Sequence, residues 1–275
     1  MWWLLWTAVG IAAFCLIVAG FWLIALLHTR KGGEAMKGFE EVVFAHRGLH
    51  DDKRPENSMA AFAAAAEKGY GIEFDLHLTR DGVLVVNHDG TTKRMCGTDL
   101  KINACTLEEL RAVSLPDGSK IPTFREFLEL VDGRSPLLIE LKNDGNSGRA
   151  LVDCMLKELE GYKGKYIVES FDPRVLVALK KAAPDVARGQ LCQDFLRTKD
   201  APGYMRLLLW SMFMNLFTYP DFVAYNTAHR SALPLRLLRR AGCRICFWTV
   251  RDQEDFDRCV KDGTNPIFER FIPKR

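Results

Sequence analysis

No acidic, basic or histidine side chain occurs before His28. Of the first 27 residues, 24 are apolar, interrupted only by Thr7, Gly10 and Gly20. Four of the six tryptophans fall in that stretch, at Trp2, Trp3, Trp6 and Trp22. A helix of about 20 apolar residues crosses a bilayer core, because it bonds every backbone polar group within itself. A cleaved leader instead has a basic start, a shorter apolar core and a small-residue cleavage site. Here nothing basic precedes the run and the run is too long, so residues 1–28 are expected to be a retained transmembrane anchor. Trp2, Trp3 and Trp6 suit the headgroup layer at its outer end. All 73 charged residues lie in the other 248, which argues against a multi-span membrane protein and against a fully soluble one.

Charge of one sign is also scarce. A formal net charge of +3 is too weak to suggest a nucleic-acid partner. An even, regularly spaced cysteine set is missing too. Outside the anchor stand Cys96, Cys105, Cys154, Cys192, Cys243, Cys246 and Cys259, an odd number that suits a reducing compartment. Cys243 and Cys246 have C-x-x-C spacing but lie in a strand-like run, where positions three apart face opposite sides. They read as structural. The basic residues after the apolar run, Arg30, Lys31 and Lys37, place the following domain on the cytoplasmic side of the cell membrane. Residues 29–40 read as a short flexible linker.

From residue 41 to 275, apolar runs alternate with helical patterns. Strands are expected over 42–46, 71–78, 83–88, 137–142, 166–171, 187–192, 222–226, 244–250 and 266–272. Helices are expected over 58–68, 123–132, 149–160, 173–183, 204–217, 231–241 and 252–262. The link Thr79-Arg80-Asp81-Gly82 is too tight for parallel strands and makes 83–88 an antiparallel return arm. Eight strands remain, and they fit an α/β fold of the (β/α)8 TIM-type barrel class. An open doubly wound sheet fits less well, since no glycine-rich loop follows the first strand. Residues 89–122 contain no barrel strand and read as an insertion over the mouth, with a capping box at Thr106 and Glu109.

Barrel enzymes take their chemistry from the C-terminal strand ends. Those ends carry Ala45-His46-Arg47-Gly48, Glu73-Phe74-Asp75, Asn87-His88-Asp89, Glu140-Leu141-Lys142, Glu169-Ser170-Phe171 and Phe247-Trp248-Thr249. Glu73 and Asp75 share a strand face, as do Glu140 and Lys142. A two-residue Asp-Gly turn pairs positions summing to 163 and sets His88 opposite Asp75; a turn one residue earlier sums to 161 and sets it opposite Glu73. Glu73, Asp75 and Glu140 are expected to hold one divalent cation, Mg²⁺ or Ca²⁺, with Mn²⁺ also suited to oxygen donors. The competing reading is that Lys142 and Arg47 neutralise these carboxylates. His46 and His88 suit an acid/base pair. Arg47 offers a fork for phosphate oxygens, and Lys142 can offset charge building there. Together these groups suit displacement at a phosphate ester.

The ordered set His46-Arg47-Gly48, Pro55-Glu56-Asn57-Ser58, Glu73-x-Asp75, Thr79-x-Asp81-Gly82, His88-Asp89 and Glu140-x-Lys142 resembles the glycerophosphodiester phosphodiesterases. The resemblance covers about residues 42–275. It implies a metal-dependent barrel enzyme that hydrolyses glycerophosphodiesters to sn-glycerol 3-phosphate and an alcohol. It puts the acid/base pair on His46 and His88 and the metal carboxylates on Glu73, Asp75 and Glu140. Substrate contacts fall on Arg47, Glu56, Asn57 and Lys142, with Phe171 and Trp248 along an apolar side. The chain departs from the family pattern at Ser58, at Arg251 after the Trp-Thr-Val run, and at Glu269-Arg270-Phe271-Ile272-Pro273.

Residues 204–217 are apolar almost all round and too short to span. They read as a buried barrel helix or as an interfacial helix. The second reading brings a lysophospholipid substrate, and lysophospholipase D activity, beside the water-soluble diester. A non-catalytic module that binds phospholipid headgroups is the alternative of another class; the intact histidines and carboxylates argue against it.

Overall fold

The computed structural model describes residues 2–30, 33–145 and 148–274. Among the described residues nine strands follow in chain order: β1 Phe44–Ala45, β2 Gly71–Leu78, β3 Leu84–Val86, β4 Leu137–Leu141, β5 Tyr166–Ser170, β6 Arg188–Cys192, β7 Phe222–Asn226, β8 Arg244–Val250 and β9 Asn265–Phe268. All but β3 are parallel, and β1 pairs with both β2 and β9, which closes an eight-stranded TIM-type barrel. β3 runs antiparallel to the upper end of β2.

The helices are α1 Trp2–Leu27, α2 Met59–Glu67, α3 Lys93–Cys96, α4 Leu107–Arg111, α5 Phe124–Val131, α6 Gly148–Glu158, α7 Pro173–Ala182, α8 Phe195–Thr198, α9 Gly203–Trp210, α10 Asn215–Thr218, α11 Leu233–Arg240 and α12 Gln253–Lys261. Their starts follow from local chemistry. Thr106 and Thr123 each form a full capping box, with Glu109 and Glu126 reaching back. Asp172 caps α7 ahead of Pro173, whose missing N–H is not needed there. The insertion after β3 has its own small core of Val85, Ile102, Leu110, Leu115 and Ile121.

Side chains alternate along each strand, so inward positions recur every second residue. The lower interior layer is apolar: Phe44, Leu138, Ile167, Phe222, Ala224, Cys246 and Ile267 form one cluster. Gly189 belongs to this layer because a Cβ there would fall 2.2 Å from the Phe222 ring. Two residues further along β1, β4, β5, β8 and β9 stand His46, Glu140, Glu169, Trp248 and Glu269. Cys243 and Cys246 fall in different core clusters, as opposite strand faces require.

Three expectations change. The hairpin pairs Leu76 with Val86, His77 with Val85 and Leu78 with Leu84, so its positions sum to 162, between the two expected registers. The loop is one residue longer because Thr79 pairs with Val83 and Gly82 adopts φ 82°. Residues 204–217 are not one helix. α9 ends at Trp210, Met212 takes a left-handed backbone at φ 53°, and α10 begins afresh at Asn215. Residues 33–40 are not a free tether. Met36 and Phe39 are buried in the lower cluster, and Asn265 Nδ2 donates to the Phe39 carbonyl at 2.6 Å.

α1 is apolar enough to cross a membrane, with 11% of its most hydropathic window buried. Its last two turns lie on α10 and α11. The Trp22 and Trp210 rings stack at 6.5 Å, and Trp22 Nε1 donates to the Ser211 carbonyl at 2.9 Å.

Candidate active site

The backbone after β1 turns sharply to present two side chains. The His46 N–H donates to the Phe268 carbonyl, which carries β1 pairing past its last residue. Arg47 adopts φ 56°, a strained conformation for a side-chain-bearing residue, and its N–H donates to Glu73 Oε2 at 2.9 Å. Gly48 follows at φ 79°, where a Cβ would sit 2.9 Å from the Ala61 carbonyl carbon and from the Phe62 ring. Only glycine fits that close approach.

Glu73, Glu140 and Glu169 each bring an oxygen within 4.8 Å of the others, and all three are buried. Burial holds Glu73 and Glu169 well above the usual carboxylate range, and the neighbouring carboxylates add to it. Glu140 is pushed up to about 7, by burial first, although Lys142 pulls the other way. Glu169 Oε2 is buried with no hydrogen-bond partner. Asp75 behaves differently. Burial alone would raise its pKa, but Lys142, His88 and Arg47 outweigh it and hold the group below the usual range. Lys142 Nζ lies 3.0 Å from Asp75 and 2.8 Å from Glu140. Arg47 Nε lies 3.7 Å from Asp75, and Asn57 Nδ2 donates to it at 2.8 Å. Ion pairing thus reaches Asp75 through Lys142 and Arg47 and Glu140 through Lys142, whereas Glu73 accepts from the Arg47 backbone N–H.

The two histidines are built alike. His46 Nδ1 is 2.6 Å from Glu269 Oε2, and His88 Nδ1 is 2.8 Å from Asp89 Oδ1. A carboxylate only accepts, so Nδ1 carries the proton in both rings and Nε2 is left basic. His46 Nε2 lies 3.9 Å from Glu73. Burial lowers the pKa of both rings, that of His88 to about 4, although their carboxylate partners oppose it. His88 reaches the mouth although the hairpin register is not the expected one, because the chain leaves the ladder only after Asn87, whose N–H donates to the Asp75 carbonyl at 3.1 Å. His77, on the same β2 face as Glu73 and Asp75, fixes that exit. Its Nδ1 is 2.6 Å from Asp144, and its Nε2 is 3.2 Å from the His88 carbonyl.

These groups line a cavity of about 390 Å³ at the barrel mouth. It contains every expected site residue except Asp75 and Asn57, which lie buried beneath it. Glu56 lines the cavity but engages Arg47 at 2.7 Å and Arg94 at 2.6 Å. Arg94, on α3 in the insertion, also holds Asp89 at 2.6 Å. A charged chain thus runs from Arg47 through Glu56, Arg94 and Asp89 to His88. Across the mouth, Phe171 meets Trp248 edge-on at 5.7 Å and Phe195 at 6.4 Å, beside Leu191.

Sequence reasoning assigned no role to four of these residues. Glu169 was visible at its strand end with the right inward parity. Arg251 and Glu269 showed only as departures from a pattern, yet they pair with each other at 2.7 Å while Glu269 holds His46. Arg94 had no signal, since nothing local places an insertion side chain over the mouth.

The model of the glycerophosphoryl diester phosphodiesterase family matches residues 46–272. A glycerophosphodiester phosphodiesterase of Caldanaerobacter subterraneus subsp. tengcongensis is 32% identical over 241 residues, covering 82% of this chain and 92% of that protein. Human glycerophosphodiester phosphodiesterase 1 is 30% identical over 235 residues, covering 75% of this chain and 70% of its own. Among solved structures, an Oleispira antarctica phosphodiesterase in complex with the product sn-glycerol-3-phosphate shares the fold. Its TM-score is 0.70 at 22% identity, with 84% of this chain and 93% of that one covered.

Proposed function

The chain belongs to the glycerophosphoryl diester phosphodiesterase family, and from that premise we propose that it hydrolyses glycerophosphodiesters to sn-glycerol 3-phosphate and an alcohol at the cytoplasmic surface of a membrane, with one divalent cation. The observation that carries this reading is the pair of carboxylate-backed histidines around three buried, mutually repelling carboxylates.

Hydrolysis of these diesters in this family is generally divalent-metal dependent, and the acidic cluster fits such an ion. The fit rests on the donors: oxygen ligands suit Mg²⁺, Ca²⁺ or Mn²⁺, and Glu169 Oε2 is buried without a hydrogen-bond partner. Glu73 and Glu140, with Asp75 as expected from sequence and Glu169 in addition, would hold it. When bound, the cation draws charge from the phosphoryl oxygens. Arg47 and Lys142 bind the same oxygens from the side. His46 and His88 serve as proton acceptor and donor. One basic Nε2 removes a proton from the attacking oxygen, whether water or the neighbouring glycerol hydroxyl. The other ring, protonated beside the anionic phosphate, supplies a proton to the departing oxygen. Glu269 and Asp89 keep each ring in the tautomer that leaves Nε2 free.

Lysophospholipase D activity is the second reading. The apolar side of the mouth favours it, where Phe171, Trp248, Leu191 and Phe195 could accommodate the start of an acyl chain. The test is turnover of glycerophosphocholine, glycerophosphoethanolamine and lysophosphatidylcholine by the full chain. EDTA should abolish release of sn-glycerol 3-phosphate, and Mg²⁺ or Ca²⁺ should restore it. Undiminished activity of a metal-free Glu73→Ala protein would overturn the metal assignment. Preference for lysophosphatidylcholine would favour the second reading.

A further inference from the structure

We infer that the exposed face of α8 and α9 rests on a phospholipid bilayer and turns the barrel mouth toward it. The inference builds on the membrane reading of α1 and adds an orientation to it.

The face is unusual for a barrel. Every other barrel helix of eight or more described residues buries at least two side chains, whereas α9 buries none. Tyr204 is 85% exposed and Leu207 62%, with Leu196 and Leu208 exposed beside them. Arg197 and Lys199 are exposed in the same segment. Leucine and tyrosine interleaved with cations suit the boundary between acyl chains and anionic headgroups.

Its position is set by topology. β6 ends at Cys192, on the mouth side, and α8 begins three residues later. From there the chain descends through α9 and α10 to the start of β7 at Phe222. α1 retraces that descent. At the lower end the Arg30 N–H donates to the Pro220 carbonyl, and Arg30 Nε lies 3.2 Å from Asp221. Above it the His28 and Tyr219 rings lie 4.4 Å apart, and Asn215 Nδ2 donates to the Leu26 carbonyl at 2.9 Å. Higher still, Phe21 meets Phe213 and Trp22 meets Trp210. The helix therefore climbs from the lower end of the barrel toward the mouth. Trp22–Leu27 rise about 9 Å as helix and residues 28–30, outside it, add up to about 10 Å, together close to the ~17 Å of a five-residue strand. α1 thus leaves the wall near the level of the mouth. Residues 2–20, all exposed, continue on that side.

A bilayer crossed by residues 2–20 then lies on the mouth side, and the α8–α9 face is the surface carried against it. Phe195, on α8, contacts Phe171 of the cavity. The apolar side of the active site is therefore the side nearest the lipid, and a diester drawn from the membrane surface enters along it.

The test uses the full chain in vesicles of phosphatidylcholine with a minor share of phosphatidylserine and a photoactivatable diazirine phosphatidylcholine. After irradiation, labelled peptides are mapped by mass spectrometry. Label on residues 2–20 and also on 196–208 is expected. Label on 2–20 alone overturns the docked face and leaves the anchor standing. Absence of label on 2–20 removes the anchor and the inference with it. Tyr204 and Leu207 do not line the cavity, so a Tyr204→Glu, Leu207→Glu double variant leaves its walls unchanged. It should lose label at 196–208 several-fold and keep wild-type turnover of glycerophosphocholine in detergent. If 196–208 stays unlabelled and the double variant instead dissociates a dimer in detergent, the face belongs to a second copy and the inference fails.

Discussion

The two interior layers of the barrel are stacked two residues apart on the same strands, and they obey opposite rules. The lower layer is apolar and filled by shape: Phe222 occupies the space that Gly189 leaves, and Met36 and Phe39 close the end beneath. The upper layer is charged and not closed by its own residues. Three buried carboxylates face one another, and one oxygen of Glu169 has no partner. A protein built only to be stable would not bury like charges, since burial without compensation costs free energy. The lower layer therefore holds the barrel together, and the upper layer spends part of that stability on a site.

Substitutions in the two layers should separate activity from stability. His88→Ala should reduce turnover by about 10² to 10⁴-fold, the usual worth of a positioned acid or base. Its melting temperature should stay close to wild type; a large drop in melting would show that His88 also supports the fold. Phe222→Ala should do the reverse, costing about 3–5 kcal/mol of stability because it empties the lower layer. Denaturant unfolding would show this, while kcat/KM of the folded fraction should hold. Equal loss of kcat/KM would mean that the layers are not independent.

Glu169→Gln should act in both directions at once. Turnover and apparent metal affinity should fall by about 10 to 100-fold, the range for groups that tune a metal site. The metal-free protein should melt higher, because one of three repelling carboxylates is gone. A variant that melts lower would argue that Glu169 is paired after all.

The smallest effect concerns pH. Glu73, Glu140 and Glu169 have folded pKa values above their unfolded ones, Glu140 at about 7. These carboxylates bind more protons in the folded state above about pH 4.5, while His46 and His88, held below their usual value of 6.5, bind fewer and oppose them up to about pH 6.5, so the net fall in stability with rising pH is concentrated above pH 6.5. In EDTA, melting temperature should decline from pH 6.5 to pH 8 by a few degrees. Saturating Mg²⁺ or Ca²⁺ should flatten the decline. A flat profile in EDTA would mean that the cluster is already neutralised within the chain.

The upper layer was the more legible of the two. Glu73 and Asp75, or Glu140 and Lys142, show their shared face by spacing alone, and buried polar residues at strand ends stand out against apolar runs. His88 was expected in the mouth for a reason that did not hold. The hairpin register differs by one, and the ring arrives because His77 and Asp144 guide the chain off the strand. Glu269 and Arg251 looked like two separate departures until the fold brought them together on His46.

By itself the sequence determined the barrel, its return arm, the apolar first helix and the histidines and carboxylates of the mouth. These follow from side-chain periodicity, turn chemistry and charge, which are local along the chain. Tertiary structure alone decided which carboxylates are ion-paired, since Asp75 meets Lys142 and Arg47 while Glu169 Oε2 has no hydrogen-bond partner. It also decided that residues 33–40 pack beneath the barrel and that α1 climbs its wall toward the mouth. Those outcomes depend on contacts between residues as many as 226 positions apart, such as Asn265 with Phe39, and no local pattern encodes such a distance.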